Sequence, residues 1–144
     1  MAKKRRHFPL VALVVLASLT IVGCPSSSSS DAYTLSGTLT QPDAIDGRFA
    51  YLKLVASDGD SSSPALYWTK STAFSGGSAT YSLGGIEEGA YVGYAFIDDN
   101  GNAAGDGTSE PDVGDWATEG QAISISSDMT ANIPAEAWNY ISPT

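Results

Sequence analysis

Residues 90–98 read AYVGYAFID, and this stretch decides the fold because apolar or aromatic side chains occupy both of its alternating sets of positions. In a β-strand, successive side chains point to opposite faces of the sheet. One face of this strand carries Tyr91, Gly93, Ala95 and Ile97, and the other carries Val92, Tyr94 and Phe96. A strand that is apolar on both faces is covered on both sides. The stretch is therefore predicted to form the central strand of a sheet.

Shorter runs on both sides of this strand show the same two-residue period. Leu35 and Leu39 share one face of an early run, and Tyr81 and Leu83 share one face of a later run. Gly, Pro, Asp and Ser separate these runs, and no stretch has a long helical period. The sequence therefore predicts an all-β fold, a single antiparallel β-sandwich of about seven strands. The predicted strands are residues 32–40, 48–56, 65–71, 78–83, 90–98, 121–126 and 128–134.

Two short motifs indicate which sandwich this is. Residues 83–91, LGGIEEGAY, resemble the turn and following strand of transthyretin-like, carboxypeptidase-regulatory-like domains. Residues 35–40, LSGTLT, look like the first strand of the same family. The resemblance implies a prealbumin-like sandwich over residues 31–144, a length that suits one hydrophobic core and is too short for two. Such folds carry many functions, so the resemblance argues for a fold and not for an activity.

The first 23 residues have the three regions of an export signal. Residues 3–6 are Lys-Lys-Arg-Arg, residues 8–22 carry no charge, and small Gly23 precedes the single cysteine, Cys24. Residues 21–24, IVGC, resemble a bacterial lipobox. The resemblance implies a lipoprotein in which residues 1–23 are removed and Cys24 is acylated, and two or more acyl chains suffice for stable anchoring. An uncleaved anchor is disfavoured, since 15 uncharged residues fall below the roughly 17 to 25 of a spanning helix.

The segment after the cysteine has the composition of a tether. Pro25 and the five serines of residues 26–30 show no apolar periodicity, which is typical of a flexible linker. Residues 24–30 are therefore predicted to join the lipid bilayer to the folded domain. The domain would lie outside the cytoplasm, at the cell membrane or, since Pro25 follows the cysteine, at an outer membrane. Secretion with a stray cysteine is the other alternative.

Cleavage would leave a strongly acidic chain. Residues 24–144 keep three basic side chains, Arg48, Lys53 and Lys70, against all sixteen acidic ones, a formal net charge of −13. Nucleic acid would find no positive surface here and is excluded as a partner. The single histidine, His7, leaves with the signal, so no imidazole or free thiol remains for a serine triad or a zinc site. A carboxylate pair of the glycosidase kind stays chemically open, but the sequence predicts no enzyme.

One segment has the composition of a cation site. Between Asp98 and Glu119 there are seven acidic residues and no basic one, and oxygen-bearing side chains recur at alternate positions. Such spacing matches the first half of a calcium loop, and calcium takes six to eight oxygen ligands. The predicted calcium ligands are Asp98, Asn100, Asn102, the Ala104 carbonyl and Asp106, with Asp112 or Asp115 completing the shell.

Two other interpretations of this acidic loop remain. Its sixth and twelfth positions are Ala103 and Ser109 instead of the glycine and glutamate of a helix-flanked calcium loop. The segment is more similar to the Asp-, Asn- and Gly-rich loops that follow the central strand in bacterial surface β-sandwiches, where calcium often binds. Asp and Asn also form side-chain-to-backbone turns without any ion. Magnesium is the alternative hard cation.

Three tryptophans, Trp68, Trp116 and Trp138, offer either core packing or a platform for sugar rings. Trp116 lies inside the acidic loop, where it is either the loop's hydrophobic anchor or an exposed contact. The predicted function is a non-enzymatic, membrane-anchored lipoprotein of the cell envelope with a calcium-stabilised loop and a structural or interaction role. The alternative is a surface module that binds a protein or a glycan.

Overall fold

The computed structural model describes residues 31–144, which form two β-sheets packed face to face. The chain is an all-β sandwich, as the alternating pattern predicts. The strands are β1 (Tyr33–Thr40), β2 (Ala50–Ala56), β3 (Tyr67–Lys70), β4 (Ser78–Ile86), β5 (Gly89–Ile97), β6 (Trp116–Ala117), β7 (Gln121–Ile125), β8 (Met129–Thr130) and β9 (Asn139–Tyr140). Within residues 31–144 the helical content is one short 3₁₀ turn, Ala135–Ala137, and no helix there could cross a membrane. The predicted signal peptide, Cys24 and tether lie outside the described residues.

The smaller sheet has the order β4, β1, β8, and the larger sheet has the order β3, β2, β5, β6, β9, with β7 also pairing with β5. All pairs are antiparallel except β1 with β8. This one departure from the predicted antiparallel pattern arises because the chain crosses from the larger sheet after β7 and enters the smaller sheet beside β1. Ala131 and Ile133 extend the contact through backbone hydrogen bonds to Ser36 and Thr38.

Strand β5 is central, as its two apolar faces predict. It pairs with β2 from Tyr91 to Ile97 on one side and with β6 and β7 on the other. Its inward side chains join the core between the sheets, while Phe96 faces outward and stacks on Tyr51 of β2 with ring centroids 5.3 Å apart. The inner faces of β1, β4 and β2 complete the core with Leu39, Ile86, Leu54 and their neighbours.

Each of the seven predicted strands has a counterpart, although the last, predicted over residues 128–134, is a strand only at Met129–Thr130, and the structure adds two short strands. Strands β6 and β9 pair with each other through Trp116 with Tyr140 and Ala117 with Asn139. Each is two residues long, too short to produce an alternating pattern. Strand β4 also runs three residues beyond its predicted end at Leu83. The pairing with β1 shifts register there, where Gly85 adopts a φ of 76°, and resumes at Ile86 opposite Tyr33.

The two edges of the sandwich differ. At the edge formed by β3 and β4, hydrogen bonds join the two sheets: the Thr69 hydroxyl donates to the Ser82 carbonyl at 2.9 Å, and the Thr72 amide donates to the Thr80 carbonyl at 2.8 Å. At the opposite edge, β7 belongs to the larger sheet and β8 belongs to the smaller one. Residues 131–139 cross over beyond them, and a cleft opens between the sheets there.

Candidate functional site

The acidic loop, residues 98–115, connects β5 to β6. Its two ends are adjacent because Ile97 pairs with Trp116 across the sheet. Asp98 and Asp115, the residues next to this pair, therefore stand together at the base of the loop. Both are buried, and Asp115 is 1% exposed. The strand pairing thus explains how two acids that are 17 positions apart reach the same place.

Asp115 fastens the base of the loop. Its Oδ1 accepts hydrogen bonds from the backbone N–H groups of Asp99 at 3.0 Å and Asn100 at 3.5 Å, and its Oδ2 accepts one from Asp112 at 3.1 Å. Burial raises the pKa of the Asp115 carboxyl, and these backbone hydrogen bonds partly oppose the rise. The side chain links both limbs of the loop in the way that an Asp caps a turn.

Asp98 orders the first turn. Its Oδ1 accepts hydrogen bonds from the backbone N–H groups of Gly101 and Asn102, both at 2.9 Å. Gly101 has a φ of 78°, which suits glycine, and the guanidinium of Arg48 lies against it. A basic side chain therefore already contacts this turn.

The Asp112 carboxylate accepts hydrogen bonds from the side chains of two asparagines. Asn100 donates from Nδ2 to Asp112 Oδ1, and Asn102 donates from Nδ2 to Asp112 Oδ2 at 2.7 Å. These hydrogen bonds from Asn102 and Asn100 hold the pKa of the Asp112 carboxyl below its usual value. Five of the seven predicted ligands, Asp98, Asn100, Asn102, Asp112 and Asp115, consequently belong to one hydrogen-bonded network, which we call the loop network.

The other two predicted ligands stand apart from the loop network. Asp106 accepts hydrogen bonds from the Thr108 hydroxyl at 2.6 Å and the Thr108 amide at 3.0 Å, and these lower the pKa of its carboxyl. Ala104 precedes Gly105, which approaches the Tyr51 hydroxyl on the outer face of the larger sheet. Within residues 31–144, no three His, Cys, Asp or Glu side chains are grouped to hold a metal ion. A cation in the loop would therefore need amide and carbonyl oxygens as well.

The middle of the acidic loop lies across the outer face of the larger sheet. Glu110 pairs with Lys53 of β2 at 2.7 Å, and the same ammonium donates to the Ser61 carbonyl at 2.6 Å. Gly107 has a φ of 80°, and a Cβ there would lie only 2.5 Å from the Trp68 Nε1. The loop needs glycine at this point because the indole of Trp68 occupies the space. A shallow groove remains between the loop, Trp68 and Tyr94.

The three tryptophans have different environments. Trp116, the weakly predicted contact residue, is half-buried against the core, with its ring centroid 4.9 Å from that of Tyr140. Its Nε1 is buried and has no hydrogen-bond partner within residues 31–144. Trp138 is buried and donates to the Thr40 carbonyl at 3.0 Å. Trp68 is 41% exposed on the outer face. Trp116 therefore anchors the end of the acidic loop against the core.

The cleft between the sheets was not predicted from the sequence. The available signal was the presence of Gly93 and Ala95 on the inward face of the central strand, where larger side chains would fill a core. Comparisons with models of protein families, with curated proteins and with solved structures found no match.

Proposed function

We propose that this protein is a lipid-anchored, non-enzymatic component of a bacterial cell envelope, with a transthyretin-like sandwich that has a structural or interaction role. The observation that carries the proposal is Cys24 at the end of a basic, then uncharged, then small-residue segment. A short Ser-rich stretch then leads to a domain that holds its core within residues 35–138. Such a domain can be carried close to a membrane without contributing to the anchor.

The chemistry of the acidic residues supports a role without catalysis. The two buried acids, Asp98 and Asp115, accept hydrogen bonds from backbone N–H groups. A carboxylate held in this way stabilises a turn and is poorly placed to exchange protons with a substrate. The net charge of −13 over residues 24–144 favours solubility at a surface.

Lipidation can be tested in a bacterial host that expresses the full chain. We expect the protein to incorporate labelled palmitate and to sediment with the membranes, and we expect Cys24→Ser to lose both properties. Ser26→Ala, two residues further on, is the matched control and should behave as the unmodified chain. Membrane association of Cys24→Ser equal to that of the unmodified chain would refute the anchor.

Calcium binding in the loop network is the second part of the proposal. Oxygen atoms of Asp98, Asp112 and Asp115 lie in this network, and oxygen-only sites suit calcium. The amides of Asn100 and Asn102 direct nitrogen toward Asp112. A half-turn of either amide would present an oxygen to the ion instead. Calcium would then replace two hydrogen bonds with coordination.

The ion is tested by thermal unfolding of the chain 24–144 carrying Cys24→Ser, in EDTA and with millimolar calcium or magnesium. A ligand that binds the folded state raises the unfolding midpoint by mass action. We expect a calcium-selective rise that Asp112→Asn abolishes and that Asp106→Asn, outside the loop network, retains. An unchanged midpoint with both ions would reduce the loop to a hydrogen-bonded turn.

A glycan-binding role is the second candidate, and one observation favours it. Trp68 is 41% exposed beside the groove that Tyr94, Lys53 and Glu110 line. Aromatic rings with polar neighbours are typical of sugar sites. Binding to insoluble chitin, cellulose and peptidoglycan should fall for Trp68→Ala. It should stay unchanged for the control Leu66→Ala, which alters an exposed apolar side chain just before β3. Equal binding by both variants would exclude the groove.

A further inference from the structure

An apolar cleft of about 770 Å³ lies between the two sheets, at the edge where β7 and β8 separate. Leu35 and Leu83 of the smaller sheet and Leu54 and Ile123 of the larger sheet contribute to its walls. Protein interiors are close-packed, and voids larger than a water molecule are few. The volume falls within the range of small-molecule sites, about 300 to 1,000 Å³.

Small residues create this space. Gly93 and Ala95 lie on the inward face of the central strand, and both line the cleft. A Cβ at Gly93 would stand 3.5 Å from the Leu54 Cδ2 and 3.8 Å from the Gln121 carbonyl oxygen, which are ordinary contact distances. The backbone therefore leaves room for side chains that the sequence does not supply.

The interior of the cleft is suited to hydrocarbon and not to water. One polar group on its walls, the Tyr81 hydroxyl, is already satisfied because it donates to the Ala131 carbonyl at 2.6 Å. Burial raises the pKa of Tyr81 to about 12, so this hydroxyl stays neutral. A buried water needs two to four polar partners. The leucine and isoleucine walls offer none.

The mouth of the cleft is polar and acidic. Its rim includes the carboxylates of Glu119 and Glu136 and the side-chain amides of Gln121, Asn132 and Asn139. Lys53 is the basic residue beside the cleft, but its ammonium is engaged by Glu110 at 2.7 Å and by the Ser61 carbonyl. An anionic head group would meet uncompensated negative charge here, whereas a cationic or uncharged one would not.

We propose that this cleft binds a single-chain amphiphile, with its hydrocarbon chain between the sheets and an uncharged or cationic head group at the acidic rim. The apolar walls select the chain, and Glu119 and Glu136 select the head group. The site does not require a lipid on Cys24, so it can be tested separately from the anchor. A membrane surface would be a natural source of such molecules.

Three probes with the same dodecyl chain test the proposal: dodecyltrimethylammonium, dodecyl maltoside and dodecanoate, each below its micellar concentration. The protein is the chain 24–144 with Cys24→Ser, and binding is measured by isothermal titration calorimetry. We expect saturable binding of the cationic and uncharged probes, and binding of dodecanoate weaker by about tenfold or more. Joint replacement Glu119→Gln and Glu136→Gln should weaken the cationic probe and leave the uncharged one unchanged.

Ala95→Leu fills the cleft from its floor. It should weaken binding of the uncharged probe by about tenfold or more, and it should raise the unfolding midpoint without ligand because it fills a void. Ala90→Leu, exposed on the same strand and directed to the other face, is the matched control and should retain binding. Gly93→Val provides a second occluding variant if Ala95→Leu does not fold.

Several results would overturn the proposal. One is the absence of saturable binding for all three probes, and another is equal binding by the parent chain and both occluding variants. A fall in the unfolding midpoint for Ala95→Leu and Gly93→Val, with no binding by the parent, would show that the chain fills its own cleft in solution. A parent chain that sediments as a dimer, and becomes monomeric in both variants, would assign the cleft to a second copy.

Discussion

At one edge of the sandwich β3 and β4 are joined by hydrogen bonds between the sheets, whereas at the opposite edge β7 and β8 separate and leave the cleft between them. Both edges belong to the same two sheets and share the same central strand. The closed edge has threonine hydroxyls and amides that cross from one sheet to the other. The open edge has small inward residues and a polar rim.

Phe74 shows what closure requires. It lies in the connection between β3 and β4, is 1% exposed, and is held by backbone hydrogen bonds to Arg48 and Gly47. A bulky side chain from a connecting loop thus fills the space at this edge. Residues 131–139, which connect the sheets at the other edge, place Ala131 and Ala137 along the cleft instead. The size of the inward residues decides which edge is filled.

The largest expected effect comes from breaking the closed edge. Phe74→Ala should lower the free energy of unfolding by about 3 to 5 kcal/mol, because it removes a fully buried aromatic ring and leaves a cavity. Met129→Ala, half-buried at the open edge, should cost about 1 kcal/mol. Urea denaturation measures both. Equal losses would mean that the two edges are equally packed.

Two glycines sharpen the comparison because adding one methyl group should have opposite effects. A Cβ at Gly37 would overlap the Ala131 carbonyl, so Gly37→Ala should cost about 1 to 3 kcal/mol. A Cβ at Gly93 meets ordinary contacts in the cleft, so Gly93→Ala should add about 0.5 to 1 kcal/mol of stability. Thermal unfolding shows whether each variant is more or less stable than the parent chain. Destabilisation by Gly93→Ala would contradict an open cleft.

A smaller effect is expected for one hydrogen bond of the closed edge. Thr69→Val removes the hydroxyl that donates to Ser82 and should cost about 0.5 to 1.5 kcal/mol. Thr130→Val is the control at the open edge, where the Thr130 side chain is exposed. Stability measured in urea should change less for the control. If Thr69→Val is as stable as the parent chain, the hydrogen bond from Thr69 to Ser82 does not help to hold the closed edge together.

The smallest expected effect on stability concerns the acidic loop, where the contributions of two carboxylates change in opposite directions with pH. The lowered pKa of Asp112 means that it stabilises the fold above its unfolded value of about 3.8, and that this contribution is lost as pH falls through the folded value. The raised pKa of Asp115 has the opposite sign: its contribution is present below the unfolded value and is lost as pH rises through the folded one.

Urea denaturation in EDTA from about pH 3 to about pH 6 measures this difference. Relative to the parent chain, Asp112→Asn should become less stable as pH rises, and Asp115→Asn should become more stable as pH rises. Parallel pH profiles for the parent and both variants would show that neither carboxylate is coupled to folding. Comparison with the edge variants then shows whether the hydrogen bonds of these two carboxylates stabilise the fold as much as apolar packing at the closed edge does.

The alternating pattern predicted most of this fold because a half-buried strand has a two-residue period within its own short stretch of sequence. The central strand predicted over residues 90–98 is observed at Gly89–Ile97, and the inward positions of β1 and β4 are those that the two-residue period indicates. Strands β6 and β9 were missed because their two residues are defined by pairing between distant segments. Burial of Trp138 was equally hidden, since its partner, the Thr40 carbonyl, lies 98 positions away.

The site was predictable only as a set of residue types. Spacing identified the oxygen-bearing side chains of residues 98–115, but it gave no sign that Asn100 and Asn102 would both donate to Asp112. The spacing also gave no sign that Asp106 would lie outside the loop network and accept hydrogen bonds from Thr108, two residues further on. The cleft depends on the distance between the two sheets. The pattern of one strand does not give that distance, and the small inward residues Gly93 and Ala95 were its available sign.

Methyl NMR of the chain 24–144 with Cys24→Ser under xenon pressure tests the open edge most directly, because xenon enters dry apolar cavities. We predict shifts at the methyl groups of Leu54, Leu83 and Ile123, which line the cleft, and none at those of Leu39 and Ile86, which are fully buried elsewhere in the core. Absence of shifts at the three cleft residues, or equal shifts at all five, would contradict the account.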